Sequence, residues 1–154
     1  DTKDLPKESK AKGYFPLFSQ DIKEATDYYI ENKMGSGNII SNVQDIYLWT
    51  KSIFSSQFYN IKEITPYGWA ARNYFKRQLV EQDGMSPGFI SYTSYYPSEN
   101  LYIIYLGNIE GLGFRKLRLD LAAIYFNEPY SAPPIRTQTI HNQELLSTIS
   151  GQYV

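Results

Sequence analysis

The apolar residues of this 154-residue chain change their spacing near Gly88, and that change constrains the fold more than any other feature. Before it, apolar positions recur at helical intervals. After it, β-branched and aromatic residues run together or alternate, as in strands. Helices first and strands second, joined by short turns, make an α+β order and not a repeating βαβ one. The expected fold is α+β, with N-terminal helices packed on a curved antiparallel sheet of about four strands, one face of it wet.

Three helices are expected. Ser19 can cap the first, in which Ile22, Ala25, Thr26, Tyr29 and Ile30 fall at i, i+3, i+4, i+7 and i+8, and Gly35-Ser36-Gly37 stops it. The second opens at Ser41-Asn42-Val43-Gln44, a capping-box pattern, with a stripe of Val43, Ile46, Tyr47, Thr50, Ile53 and Phe54. Trp49 lies off that stripe, so either a second layer covers it or it faces a partner, and burial by the sheet is the expectation. The third starts at Thr65-Pro66, a capping hydroxyl followed by a proline whose missing N–H costs nothing there. It would run from Trp69 to Gln82 with Ala71, Phe75 and Leu79 in one row, leaving Arg72, Lys76, Arg77 and Glu81 on a solvated face. Trp49, Thr65, Pro66, Trp69 and Phe75 are the expected structural anchors, Trp69 lying between the third helix and the sheet. Asp83-Gly84 through Pro87-Gly88 should break that helix.

The strands follow. Phe89–Tyr96 ends at the turn cluster Pro97-Ser98-Glu99-Asn100, and Leu101–Leu106 comes next. Glycines 107, 111 and 113 read as a hairpin joining strand to strand, not as a phosphate loop before a helix. From Phe114 to Tyr125, Leu117, Leu119, Leu121, Ala123 and Tyr125 alternate with Lys116, Arg118 and Asp120, which predicts a half-buried strand. A proline loop, residues 127–134, leads to Ile135–Ile140 and a last segment around Leu145, Leu146 and Ile149. At the other end, residues 1–13 carry four lysines and three acids and read as a flexible tail or linker. Residues 14–154 read as a single α+β domain, with order beginning at Tyr14-Phe15-Pro16-Leu17-Phe18.

The inventory of reactive groups is short. There is no cysteine, and a single histidine, His141, has no neighbouring ligand set at metal spacing, since Asp120, Glu128 and Glu144 do not converge by sequence. The acid pairs Glu81 with Asp83 and Glu99 with Glu110 lie in charged or turn-rich stretches that read as exposed. Ser91, Ser94 and Ser98 have neither a nucleophile-elbow setting nor a base. A domain of this size buries roughly 70% of its unfolded surface, so it needs no metal or disulfide to fold. No catalytic, cofactor-binding or metal residue is expected, and a non-enzymatic role follows. A net charge of −1 gives no field to attract nucleic acid. The missing cysteines lean toward an extracytoplasmic domain. A chain opening at Asp1 without Met reads as a mature form or a piece freed from a membrane anchor.

Fifteen tyrosines are the positive signal. Tyrosine joins a large apolar ring to a polar tip, which suits half-buried positions and partner surfaces. Tyr92 and Tyr96 share one face of their strand and Tyr95 takes the other, while Tyr102 and Tyr105 point to opposite faces of the next strand. One row is expected to pack on the helices and the other to meet a partner.

Leu48-Trp49, then Ile64-Thr65-Pro66-Tyr67-Gly68-Trp69, then Gly107-Asn108-Ile109-Glu110-Gly111 before Phe114 to Tyr125, resemble the periplasmic domains of the IcmL/DotI/TraM type. These are inner-membrane subunits of type IV secretion and conjugation machines with a nuclear-transport-factor-like fold. The likeness runs over roughly residues 41–149 and is carried by a Thr-Pro-x-Gly-Trp run that also starts helices generally. It implies a membrane-anchored, oligomeric scaffold on the periplasmic side of the inner membrane, without catalytic residues or cofactor, whose partners are other subunits of the machine and itself. Two other readings stand beside it. One is a cone-shaped α+β domain that binds or converts a small molecule in an apolar pocket lined by Trp49, Trp69 and tyrosines. The other is an extracellular adhesin or carbohydrate binder with exposed Tyr and Trp.

Overall fold

The computed structural model describes residues 10–16, 22–25, 35, 37–55, 67–110 and 114–132, and every structural statement below concerns these. The fold is α+β: a two-stranded ribbon, a four-stranded antiparallel sheet and two helices. One helix precedes the large sheet and the other follows it.

The ribbon pairs β1 (Tyr14–Pro16) with β2 (Ile22–Glu24). Ile22, Lys23 and Glu24, expected in the first turns of a helix, are therefore extended; the rest of that expected helix, residues 26–34, lies outside the described residues. The ribbon is held where β-turn and sheet end meet. Tyr14 N–H donates to the Gly88 carbonyl at 3.3 Å, and Glu110 N–H donates to the Tyr14 carbonyl at 3.0 Å. The Glu110 carboxylate accepts from Gly88 N–H at 3.1 Å. Gly88 has φ +76°, and a Cβ there would lie 2.7–2.8 Å from Gly13, Tyr14 and Ala25, so only glycine fits. Lys12 is drawn into the same corner, its carbonyl accepting from Asn108 and its ammonium pairing with Glu24 at 3.0 Å. The end of the segment read as a tail is thus seated on the domain, while residues 1–9 lie outside the described ones.

Helix α1 (Val43–Ser55) forms where its stripe predicts. Asn42 caps it: the side-chain carbonyl accepts from Asp45 N–H at 2.9 Å, and the Asp45 carboxylate accepts from the Asn42 amide at 2.8 Å. Asp45 also lies in the first turn, where the helix dipole favours an acid. Thr50 is fully buried and returns its hydroxyl to the Ile46 carbonyl at 2.7 Å, while Ile46, Tyr47, Ile53 and Phe54 are half-buried.

The expected third helix is instead a hairpin, β3 (Ala70–Tyr74) and β4 (Arg77–Ser86). Ala71, Phe75 and Leu79 do sit at helical spacing, but β4 pairs on both sides and is covered on both faces, so Leu79, Val80 and Glu81 are consecutive and all buried. The turn is Phe75-Lys76, both with positive φ (51° and 61°). Two such residues give the twist a tight hairpin needs, yet the usual Asn-Gly signature is absent. Asp83 and Gly84, expected to end a helix, continue β4, and Pro87-Gly88 makes the next turn.

Strands β5 (Phe89–Tyr96) and β6 (Leu101–Gly107) are where expected, joined by a 3₁₀ turn at Pro97–Glu99 and a left-handed Asn100. The sheet is a meander in the order β3-β4-β5-β6.

The last described element corrects a second expectation. Phe114–Phe126 is a helix, α2, not a strand. Ala122 and Ala123 are buried and Leu119 and Phe126 half-buried, at i, i+3, i+4 and i+7, and Leu, Ala, Lys and Arg are all strong helix formers. Lys116 pairs with Asp120 one turn on and with the Ser131 carbonyl. Gly107 accordingly leads from strand toward helix, so the expected hairpin is not formed; residues 111–113 lie outside the described ones.

Alternation then divides the sheet. Leu79, Glu81, Tyr92, Tyr96 and Ile103 face α2, and packing of Ala122, Leu121 and Phe126 closes that layer. Val80 and Tyr95 face α1, where Trp69, Ile53 and Phe54 join them.

Candidate functional site

A carboxylate lies at the centre of the α2-facing layer. Glu81 is 4% exposed, and a buried charge persists only when paired and hydrogen-bonded. Its Oε1 accepts from Arg118 Nη1 at 3.1 Å, Arg72 Nε at 3.2 Å and, at the long limit of 3.4 Å, the Tyr74 hydroxyl. Its Oε2 accepts from the Tyr92 hydroxyl at 2.8 Å. Register explains the gathering. Ala70 stands opposite Glu81 on β3 and Ser94 opposite it on β5, so Arg72 and Tyr92 are its diagonal neighbours on the same face. Helix α2 lowers Arg118 onto them from above, its guanidinium 5.8 Å from the ring centres of both Tyr74 and Tyr92.

Burial pushes the Tyr92 phenol well above its ordinary range, with the hydrogen-bonded Glu81 carboxylate adding to the rise. The Tyr74 phenol is raised by burial and by the same carboxylate. Both therefore stay protonated and donate to Glu81. The cluster thereby joins sheet to helix as an electrostatic clasp.

Beside the clasp is a cleft of about 260 Å³ lined by Gly68, Ala70, Arg72, Glu81, Gln82, Asp83 and Arg118. Its lining is polar and charged. Arg118 Nε is buried and has no hydrogen-bond partner among the described residues.

The opposite layer is aromatic. Tyr95 stacks on Tyr102, directly across the β5–β6 pairing, with ring centres 4.5 Å apart. Phe54 of α1 stacks on Tyr95 at 5.1 Å and meets Trp69 edge-on at 5.1 Å, and Trp49 lies 5.8 Å from Trp69. Tyr47 meets Tyr102 edge-on at 5.2 Å. These rings fill the space between helix and sheet by packing on one another.

The structure sorts the sequence-predicted residues unevenly. Tyr92 and Tyr96 are 2% and 1% exposed, which places them in the core rather than on a contact surface. Tyr95, Tyr102 and Tyr105 are half-buried, Tyr105 stacking on Tyr92 at 5.2 Å. Trp69 is 4% exposed, on the lead into β3 and packed against α1 rather than on a helix of its own. Trp49, expected beneath the sheet, is 47% exposed, because it stands at the flank of the α1 stripe with its ring lying against that of Trp69. Phe75 is half-buried at the hairpin turn. Thr65, Pro66, His141 and Glu144 lie outside the described residues. Asp120 pairs with Lys116, and Glu128 lies 3.6 Å from Arg77. Among the described residues no group of three or more metal-ligating side chains comes together.

Glu81, Arg72 and Arg118 were legible only as solvated charges, and Glu81 was expected to be exposed. Nothing in a single carboxylate between Val80 and Gln82 announces burial; the signal arises only when β3, β5 and α2 converge. No protein-family model matches the chain, and no curated protein matches it.

Proposed function

We propose that this chain works by association, as a non-enzymatic structural subunit of an envelope-spanning assembly of the type IV secretion or conjugation kind. On this reading it is extracytoplasmic, on the periplasmic side of the inner membrane, binds other subunits and itself, and uses no cofactor. The observation that carries the association is Trp49, 47% exposed on α1 and lying beside the buried Trp69. Leu48 next to it is 53% exposed. Tryptophan is among the side chains enriched at the few positions that dominate protein interfaces. The assembly class is supported by the Leu48-Trp49 and Thr65-Pro66-Tyr67-Gly68-Trp69 runs and is consistent with an α+β domain built on an antiparallel sheet.

The test is sedimentation velocity across a concentration series for the wild-type chain and for Leu48→Ser with Trp49→Ser. Concentration-dependent association that weakens at least tenfold in the variant, with an unchanged melting temperature, is expected. A wild-type chain that stays monomeric throughout, or a folded variant that associates as well as wild type, overturns the role of this surface. Steady turnover of a small substrate by the purified chain would overturn the non-enzymatic reading.

A further inference from the structure

The cleft beside Glu81 has no part in association through α1, and its chemistry is different. We infer that it is a binding site for a small zwitterion, of the α-amino-acid class. The inference stands independently of the assembly reading.

Size comes first. A volume of about 260 Å³ lies just below the range of drug-sized pockets, and at about 30 Å³ per water it equals roughly nine waters. That admits a molecule of under about ten heavy atoms. Gly68 and Ala70 keep one wall low, the glycine at φ +89° where a side chain would be strained.

Charge comes next. Two guanidiniums, Arg72 and Arg118, and two carboxylates, Glu81 and Asp83, line the space, so its formal charge is zero. A simple anion would meet two carboxylates, and a simple cation two guanidiniums. The four charges are not mixed, however. Glu81 takes both guanidiniums and two phenols and is satisfied. Each arginine spends a single donor on it, out of the five a guanidinium carries. The guanidiniums that line the cleft therefore keep donors to spare.

Asp83 supplies the other pole. It follows Glu81 by two residues on the same strand face, about 6.8 Å along β4, is exposed, and makes no ion pair among the described residues. Donor-rich guanidiniums and a carboxylate without an ion pair among the described residues thus line one cleft. A small molecule that carries both a carboxylate and an ammonium can answer the two with charge-assisted hydrogen bonds of about 2.8 Å. Its carboxylate would answer Arg118 and Arg72, and its ammonium would answer Asp83.

The experiment is a titration of the isotope-labelled chain with L-alanine, followed by amide chemical shifts. Propionate and ethylamine serve as the two half-charged controls. Saturable shifts at Gly68, Ala70, Arg72, Gln82, Asp83 and Arg118 with L-alanine, and at least tenfold weaker binding of either control, are expected. Asp83→Asn, an exposed change that leaves the Glu81 clasp untouched, should weaken L-alanine at least tenfold without moving the melting temperature. No saturable shift with L-alanine, propionate binding as tightly as L-alanine, or Asp83→Asn binding like wild type would each overturn the inference.

Discussion

Removing Glu81 tests the central claim about what joins the sheet to α2. In Glu81→Ala the guanidinium of Arg118, 20% exposed, loses its only ion-pair partner among the described residues. Breaking a buried pair by deleting one member costs about 3–5 kcal/mol, because the other charge stays behind without water. Arg72 adds little: its side chain is 56% exposed, and exposed pairs are worth about 0–1 kcal/mol. The Tyr92 hydroxyl loses its carboxylate acceptor as well, a loss of about 1–3 kcal/mol if no water enters. These contributions share one carboxylate and do not add, so the expected loss is about 3–5 kcal/mol in all.

Urea denaturation should therefore show a lower midpoint with an unchanged slope, since the surface exposed on unfolding is the same. By temperature the drop is about 6–20 °C, at about 2–4 °C per kcal/mol for a chain of this size. A companion variant separates pairing from packing. Glu81→Leu combined with Arg118→Met removes both charges and keeps most of the volume, and such replacements are commonly neutral or stabilising. The double variant should recover at least half of what Glu81→Ala loses. A loss below about 1 kcal/mol in Glu81→Ala, the range of ordinary surface changes, would refute the clasp. A double variant as unstable as the single one would show that packing, not the stranded charge, carries the effect.

Two further outcomes are expected. Trp69→Ala should destabilise by about 3–5 kcal/mol in the same urea assay, because a buried ring contacting Phe54 and Trp49 leaves a cavity that α1 cannot refill; a loss under about 1 kcal/mol would contradict its burial. Alkaline pH should unfold the chain through its tyrosines. Burial pushes Tyr96 up to about 12, and burial together with Tyr95 pushes Tyr102 to about 12, whereas in the unfolded chain both ionise near 10. The neutral phenols thus contribute stability that is fully present below pH 10 and is lost as pH rises toward 12. Tyrosinate absorbance and circular dichroism followed together should show a group of phenols that ionise only with loss of structure. Smooth ionisation of every tyrosine near pH 10 with the fold intact would refute this.

What could be read from the sequence was set by how local each signal is. The α1 stripe and its cap, the β5 and β6 runs, and the turn at Pro97 to Asn100 are written in neighbouring residues, and they appear where expected. The two misassigned elements are those whose local pattern admits both periods. Ala71, Phe75 and Leu79 match a helix, but β4 is sandwiched, so burial of Leu79, Val80 and Glu81 in succession erased its alternation. The turn that would have revealed the hairpin uses Phe75 and Lys76 in place of glycine or asparagine. Leu117 to Tyr125 alternates by accident of composition, while its helical face, Leu119, Ala122, Ala123 and Phe126, carries two alanines too small to register as a stripe.

The site was hidden for a different reason. Each member of the clasp is unremarkable where it stands in the chain: Arg72 and Glu81 on the two strands of one hairpin, Tyr92 on the next strand, Arg118 on a helix 37 positions beyond the carboxylate. Charged residues are read as solvated because most are, and no local rule marks the exception. Glu81 becomes buried only because the hairpin sets Arg72 diagonally beside it and α2 closes over it with Arg118. Misreading the hairpin as a helix, and α2 as a strand, removed both of those neighbours at once. The same two corrections turn Tyr92 from a contact residue into a core donor, since α2 covers the face that it shares with Glu81. Function in this chain therefore has to be sought where the corrected fold leaves side chains unsatisfied or uncovered, at the Arg118 end of the cleft and at Trp49.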